Sequence, residues 1–148
     1  MYTEIYNPVC SNTECISVVV YDDTVGFLCY KSDEDYSPDD IATPVYTIEE
    51  SEHIISCLDK AINVTEKDFR KDVSSICFCW NVDKPCQKLE ISALMCGSKS
   101  RTVLYYIESD VAYGDFDMVG GYMIGKPGLI KLKEAIQTAI RVIKNENT

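Results

Sequence analysis

The chain is poor in the residues that most catalytic sites need. It has one histidine, His53, among 148 residues. A cysteine or serine nucleophile needs a base, and His53 stands among Glu49, Glu50 and Glu52, off the apolar stripe of its helical segment, so it is expected to face solvent. No apolar run approaches the ~20 residues that span a bilayer. The first nine residues hold Glu4, Asn7 and Pro8 and lack a basic segment followed by an apolar one, so no secretory signal is predicted. Positive charge is scarce: 14 Lys and Arg stand against 24 Asp and Glu, a net charge of −10. Such a field repels nucleic acid and anionic membranes.

Two motifs come close to known sites and fail on chemistry. Gly120-Gly121-Tyr122-Met123-Ile124-Gly125-Lys126-Pro127 has the glycines and lysine of a phosphate-binding loop. That loop needs a hydroxyl after the lysine, and Pro127 supplies neither hydroxyl nor amide hydrogen. Cys77, Cys79, Cys86 and Cys96 offer four thiols but no Cys-x₂-Cys knuckle. Cys77 and Cys79 fall in one strand-like run, where both are expected on the same face about 7 Å apart. Structural thiols are therefore expected, with no metal and no cofactor. The other cysteines fit the same view: Cys29 in a strand-like run and Cys57 in a helix occupy places for small apolar residues. With no export signal predicted, free thiols in a reducing cytosol are the simplest account.

What is present is an ordinary globular composition, 46% hydrophobic and 26% charged. One domain over residues 1–148 is expected. Residues 15–21 and 25–30 are β-rich runs joined by Asp22-Asp23-Thr24 and predict a hairpin. Thr47-Ile48-Glu49-Glu50 fits a capping box. Behind it Ile48, Ile55, Leu58 and Ile62, flanked by Ile54 and Ala61, predict a helix over 48–63. Three strands follow, near 75–80, 88–95 and 102–107. In the first, Ile76, Phe78 and Trp80 share a face opposite Cys77 and Cys79. In the second, Leu89, Ile91, Ala93 and Met95 point in while Lys88, Glu90 and Ser92 point out. Residues 108–126 read as loop, with a short strand near 118–124 allowed. A helix over 128–144 buries Leu129, Leu132, Ile136, Ile140 and Ile143, and Pro127 suits its first turn. No internal repeat is evident. The order ββαβββ(β)α predicts an α+β fold, an antiparallel sheet of about five strands with two helices.

Charge is unevenly divided. Residues 1–74 carry 16 acids and 5 bases, and residues 75–148 carry 8 acids and 9 bases. The densest stretch runs from Asp33 through Glu34, Asp35, Tyr36, Ser37 and Pro38 to Asp39 and Asp40. Acids speed encounter with a basic partner, and aromatics such as Tyr30, Tyr36 and Tyr46 beside them supply anchors. The expected partner-binding residues are Asp33, Glu34, Asp35, Tyr36, Asp39 and Asp40, with Glu49, Glu50 and Glu52 as a second ridge.

Small, acidic, cysteine-tolerant, single-domain α+β and without a catalytic motif, the chain resembles the bacterial immunity proteins of contact-dependent growth inhibition and related polymorphic toxin systems. The resemblance is one of type and brings no motif. It implies a cytoplasmic, non-enzymatic toxin inhibitor, an antitoxin that neutralises a basic toxin domain, such as a nuclease, by direct protein-protein interaction. Homodimer formation is left open. Two other readings stand beside it. One is a small oligomeric scaffold or assembly protein using its sheet face. The other is a small-molecule binder with a pocket near Asp110, Asp115 and Asp117.

Overall fold

A computed structural model of the chain describes residues 2–10, 14–31, 45–71, 75–80, 87–96, 99–110 and 115–146. The fold is α+β with two helices and antiparallel sheets, and among the described residues the strands pair as two sheets of four, not as the expected single sheet of about five. The first has the order β1 (Tyr2–Cys10), β2 (Glu14–Tyr21), β3 (Thr24–Lys31) and β4 (Val45–Tyr46) and is followed by α1 (Ile48–Ile62). A 3₁₀ turn at Glu66–Asp68 leads into the second, with β5 (Ser75–Trp80), β6 (Gln87–Cys96), β7 (Lys99–Asp110), β8 (Asp115–Ile124) and then α2 (Lys126–Glu146). The predicted order lacked β1 and β4, and the short strand allowed near 118–124 is the longer β8, while the start of the stretch expected as loop is the end of β7.

The order also exposes a repeat that residue identities hide: four strands and a helix, twice. The helices share a burial pattern. Ser51, Ile54, Cys57, Leu58 and Ala61 are buried in α1, and Leu129, Leu132, Ala135, Ile136 and Ala139 are buried in α2 at the same spacing. Residue types differ at all but one of the five positions, so only the pattern survives.

The chain forms two compact units. One contains β1–β4, α1 as far as Ile55, and α2 from Ile130. Its core comprises Ile16, Val18, Val19, Val20, Val25, Phe27, Tyr46, Ile54, Leu132, Ile136 and Ile143. Consecutive residues of β2 are buried, so both faces of this strand are covered. That suits a β-branched run and stabilises it by roughly 1.5–3 kcal/mol per fully buried apolar side chain. The β2–β3 hairpin closes through Asp22 and Asp23 with Tyr21 paired to Thr24. Asp22 has a φ of 52°, a positive value that lets a two-residue turn match the twist of its strands. The Thr24 hydroxyl donates to the Tyr21 carbonyl at 2.6 Å and pins the turn. Rings of Phe27 and Tyr46 meet at 5.6 Å between centroids, which fixes the short edge strand β4.

The second unit contains α1 from Ser56, β5–β8, and α2 as far as Leu129. Leu89, Ile91 and Ala93 face inward as expected, whereas Met95 is only half-buried. Ser92, expected outward, is 3% exposed, and its hydroxyl donates to Glu90 Oε1 at 2.9 Å. Simple alternation fails in β5 too. Cys77 pairs with Ser92 and Cys79 with Ile91, so Phe78 is an extra residue on a bulge. The expected sharing of one face by Cys77 and Cys79 assumes unbroken alternation, and the register shifts between them.

Candidate functional site

Of the expected partner-binding residues, Asp33, Glu34, Asp35, Tyr36, Asp39 and Asp40 lie outside the described residues. The second ridge, on α1, is described. Glu49 and Glu52 are exposed and Glu50 is half-buried. The three carboxylates are not equivalent. Glu50 closes the predicted capping box: the Thr47 N–H donates to Glu50 Oε1 at 2.9 Å and the Glu50 N–H donates to Thr47 Oγ1 at 3.1 Å. Ser51, buried in the same turn, donates its hydroxyl to the Thr47 carbonyl at 2.7 Å. Glu52 faces α2, where its Oε1 lies 3.6 Å from Lys144 Nζ. Glu49 and Glu50 both sit in the first turn of α1, where negative charge complements the helix dipole. His53 is exposed beside them, as expected.

The apolar side of α1 explains why Glu52 faces another helix. Of the predicted stripe of Ile48, Ile55, Leu58 and Ile62, only Leu58 is buried, and the other three are half-buried. The buried line runs instead through Ser51, Ile54, Cys57, Leu58 and Ala61. Ile55 is left at the border, and with Glu52 it forms one wall of a groove whose other wall is Gln137, Ile140 and Arg141 of α2. All these residues belong to the first unit. The groove has a volume of about 470 Å³, within the range of small-ligand sites. Arg141 is held in place, with Nη2 donating to Thr138 Oγ1 at 3.0 Å and that hydroxyl donating to the Glu134 carbonyl at 2.9 Å.

The sequence marks Glu52 as a ridge residue but gives no direct sign that it shares a groove with Arg141. Helical spacing alone carried the signal: Ile55 sits one position beyond the buried Ile54, and Gln137 and Arg141 are one turn apart.

The other candidate motifs take different forms from those expected. Gly120 and Gly121 pair with Tyr106 and Tyr105 inside β8, so an extended strand stands where the sequence reads as loop with a short strand allowed. Asp110 pairs with Asp115, and Asp117 with Glu108, at the β7–β8 end. Cys57 is buried and free, as expected, whereas Cys77 is free and exposed. Cys86 lies outside the described residues. Among the described residues no three His, Cys, Asp or Glu side chains converge as metal ligands, and no helix is long and apolar enough to cross a membrane. No protein-family model and no curated protein matches this sequence.

Proposed function

We propose that the protein is an inhibitor of the immunity type, which neutralises a basic toxin domain in the cytoplasm by direct binding and performs no catalysis itself. The observation that carries this reading is the one-sided charge: 16 acids against 5 bases in residues 1–74, with five carboxylates between Asp33 and Asp40. A nuclease domain has a positive cleft because its substrate is a polyanion, and an acidic segment that fills such a cleft gains both association rate and selectivity. In this reading the acids at 33–40, with Tyr36, form the principal contact, and Glu49, Glu50 and Glu52 add a flanking ridge. The exposure of Glu49 and Glu52 on α1 supports that role. Nucleic acid and membrane surfaces are not its partners.

The test is affinity capture from native lysate at low and moderate salt, using the wild type and a variant with Asp33, Asp35, Asp39 and Asp40 changed to Asn and Glu34 to Gln. The expected result is one stoichiometric basic partner that the variant loses and whose nuclease activity falls when purified wild type is added back. Recovery of the same partner by both proteins refutes the acidic contact. Recovery of the protein with copies of itself alone refutes the inhibitor and favours a scaffold.

A further inference from the structure

The inhibitor reading uses Glu52 as a ridge residue and leaves the rest of the groove between α1 and α2, Ile55, Gln137, Ile140 and Arg141, without a role. The groove combines three kinds of chemistry in one small volume. Ile55 and Ile140 provide an apolar floor, Gln137 and Arg141 provide amide and guanidinium donors, and Glu52 provides a carboxylate. Arg141 directs one N–H at Thr138, and among the described residues it has no carboxylate partner for the others. That bond lies within its own helix, and the exposed guanidinium stands at the groove wall. Glu52 is engaged by Lys144 at 3.6 Å, but both side chains are more than half exposed, at 56% and 60%. An exposed pair of that kind is weak and exchanges readily for another cation.

We propose that this groove binds a small zwitterion with an aliphatic side chain, the class to which apolar α-amino acids belong. Arg141 and Gln137 receive the carboxylate, Glu52 receives the ammonium in place of Lys144, and Ile55 and Ile140 cover the hydrocarbon. The charge of the whole protein selects this class over simpler ones. A net charge of −10 penalises a free carboxylate approaching Arg141, whereas a zwitterion carries no net charge into that field. A simple cation satisfies Glu52 but leaves Arg141 and Gln137 unused. The groove is open on its outer side, so affinity in the millimolar range is expected rather than tight binding.

Isoleucine methyl groups report on this site directly. With isoleucine δ1 methyls labelled, the full chain is titrated by NMR with leucine, with leucinamide, which lacks the carboxylate, and with 4-methylpentanoate, which lacks the ammonium. Leucine is expected to move the Ile55 and Ile140 signals saturably, and each analogue to bind about tenfold more weakly or worse, as the loss of a charge-assisted hydrogen bond predicts. Arg141→Gln and Glu52→Gln are exposed changes that leave the buried methyl spectrum intact, and each is expected to weaken leucine to a similar degree. The proposal is overturned if leucine produces no saturable shift, or if the two analogues bind as well as leucine. Shifts that follow protein concentration instead of leucine also overturn it, because a second copy of the chain is then the occupant.

Discussion

Asp22 holds a backbone conformation that side chains other than glycine, asparagine and aspartate rarely adopt. With φ at 52°, a Cβ crowds the neighbouring carbonyl, at a cost of roughly 1–2 kcal/mol for most residues. Asp22→Ala is therefore expected to lose about 1 kcal/mol in urea unfolding, while Asp22→Gly is tolerated because glycine needs no relief of strain there. Equal losses from both would assign the cost to the carboxylate and not to the turn. Thr47 and Glu50 form a second residue-scale unit, each satisfying the other's backbone N–H. Thr47→Ala is expected to destabilise by about 1 kcal/mol, and a Thr47/Glu50 double-mutant cycle should show the two losses to be less than additive. Glu50 also belongs to the proposed acidic ridge. Glu50→Gln keeps an acceptor for the Thr47 N–H and removes the charge, so it separates the two roles. If the ridge contacts a basic partner, this variant weakens association while the unfolding midpoint barely moves.

At the scale of elements, α1 turns on a difference of one position. Ile54 is 1% exposed and Ile55 is half-buried at the groove. Ile54→Ala is expected to cost about 2–5 kcal/mol through lost burial and the cavity left behind. Ile55→Ala should cost less than half as much, because solvent already reaches the site; equal losses would mean that the groove closes in solution. The sequence announced this helix, its cap and its span, because capping chemistry and a 3.6-residue period are local signals. It placed Leu58 correctly and misplaced the rest of the buried stripe, because Ile48, Ile55 and Ile62 compete with the flanking Ile54 and Ala61 and only tertiary packing decides between them. The strands show the same division. The β2–β3 hairpin was legible in a β-branched run and an Asp-Asp turn. β1 was not: Asn7 and Pro8 interrupt it, and the pairing with β2 shifts register between Ile5 and Val9, where Pro8 has no N–H to give the ladder. The bulge at Phe78 was equally hidden, since one added residue reverses every later face and leaves no local mark. Unbroken alternation puts Cys77 and Cys79 on one face, and the register shift between them breaks that alternation. As for the site, charge located an acidic ridge, but charge has no period, so the groove that draws Glu52, Gln137 and Arg141 together was not readable.

For the whole molecule, the decisive quantity is how the net charge of −10 responds to salt. The ion pair between Glu52 and Lys144 is solvent-exposed, and pairs of that kind contribute about 0–1 kcal/mol at most. Against it stands the mutual repulsion of the acids concentrated in residues 1–74, which is present whenever the chain is compact. Raising sodium chloride from ~10 mM to ~150 mM shortens the screening length from about 30 Å to about 8 Å and removes much of that repulsion. Tm is accordingly expected to rise over this interval. The same salt must act in the opposite direction on capture of a basic partner, because attraction between unlike charges is screened by the same ions. Thermal unfolding and association rate, measured on one protein across one salt series, should therefore move with opposite signs. A Tm that falls with salt would show that attractive pairs outweigh repulsion within the fold. An association rate indifferent to salt would remove the acids from the encounter and, with them, the electrostatic basis of the inhibitor reading.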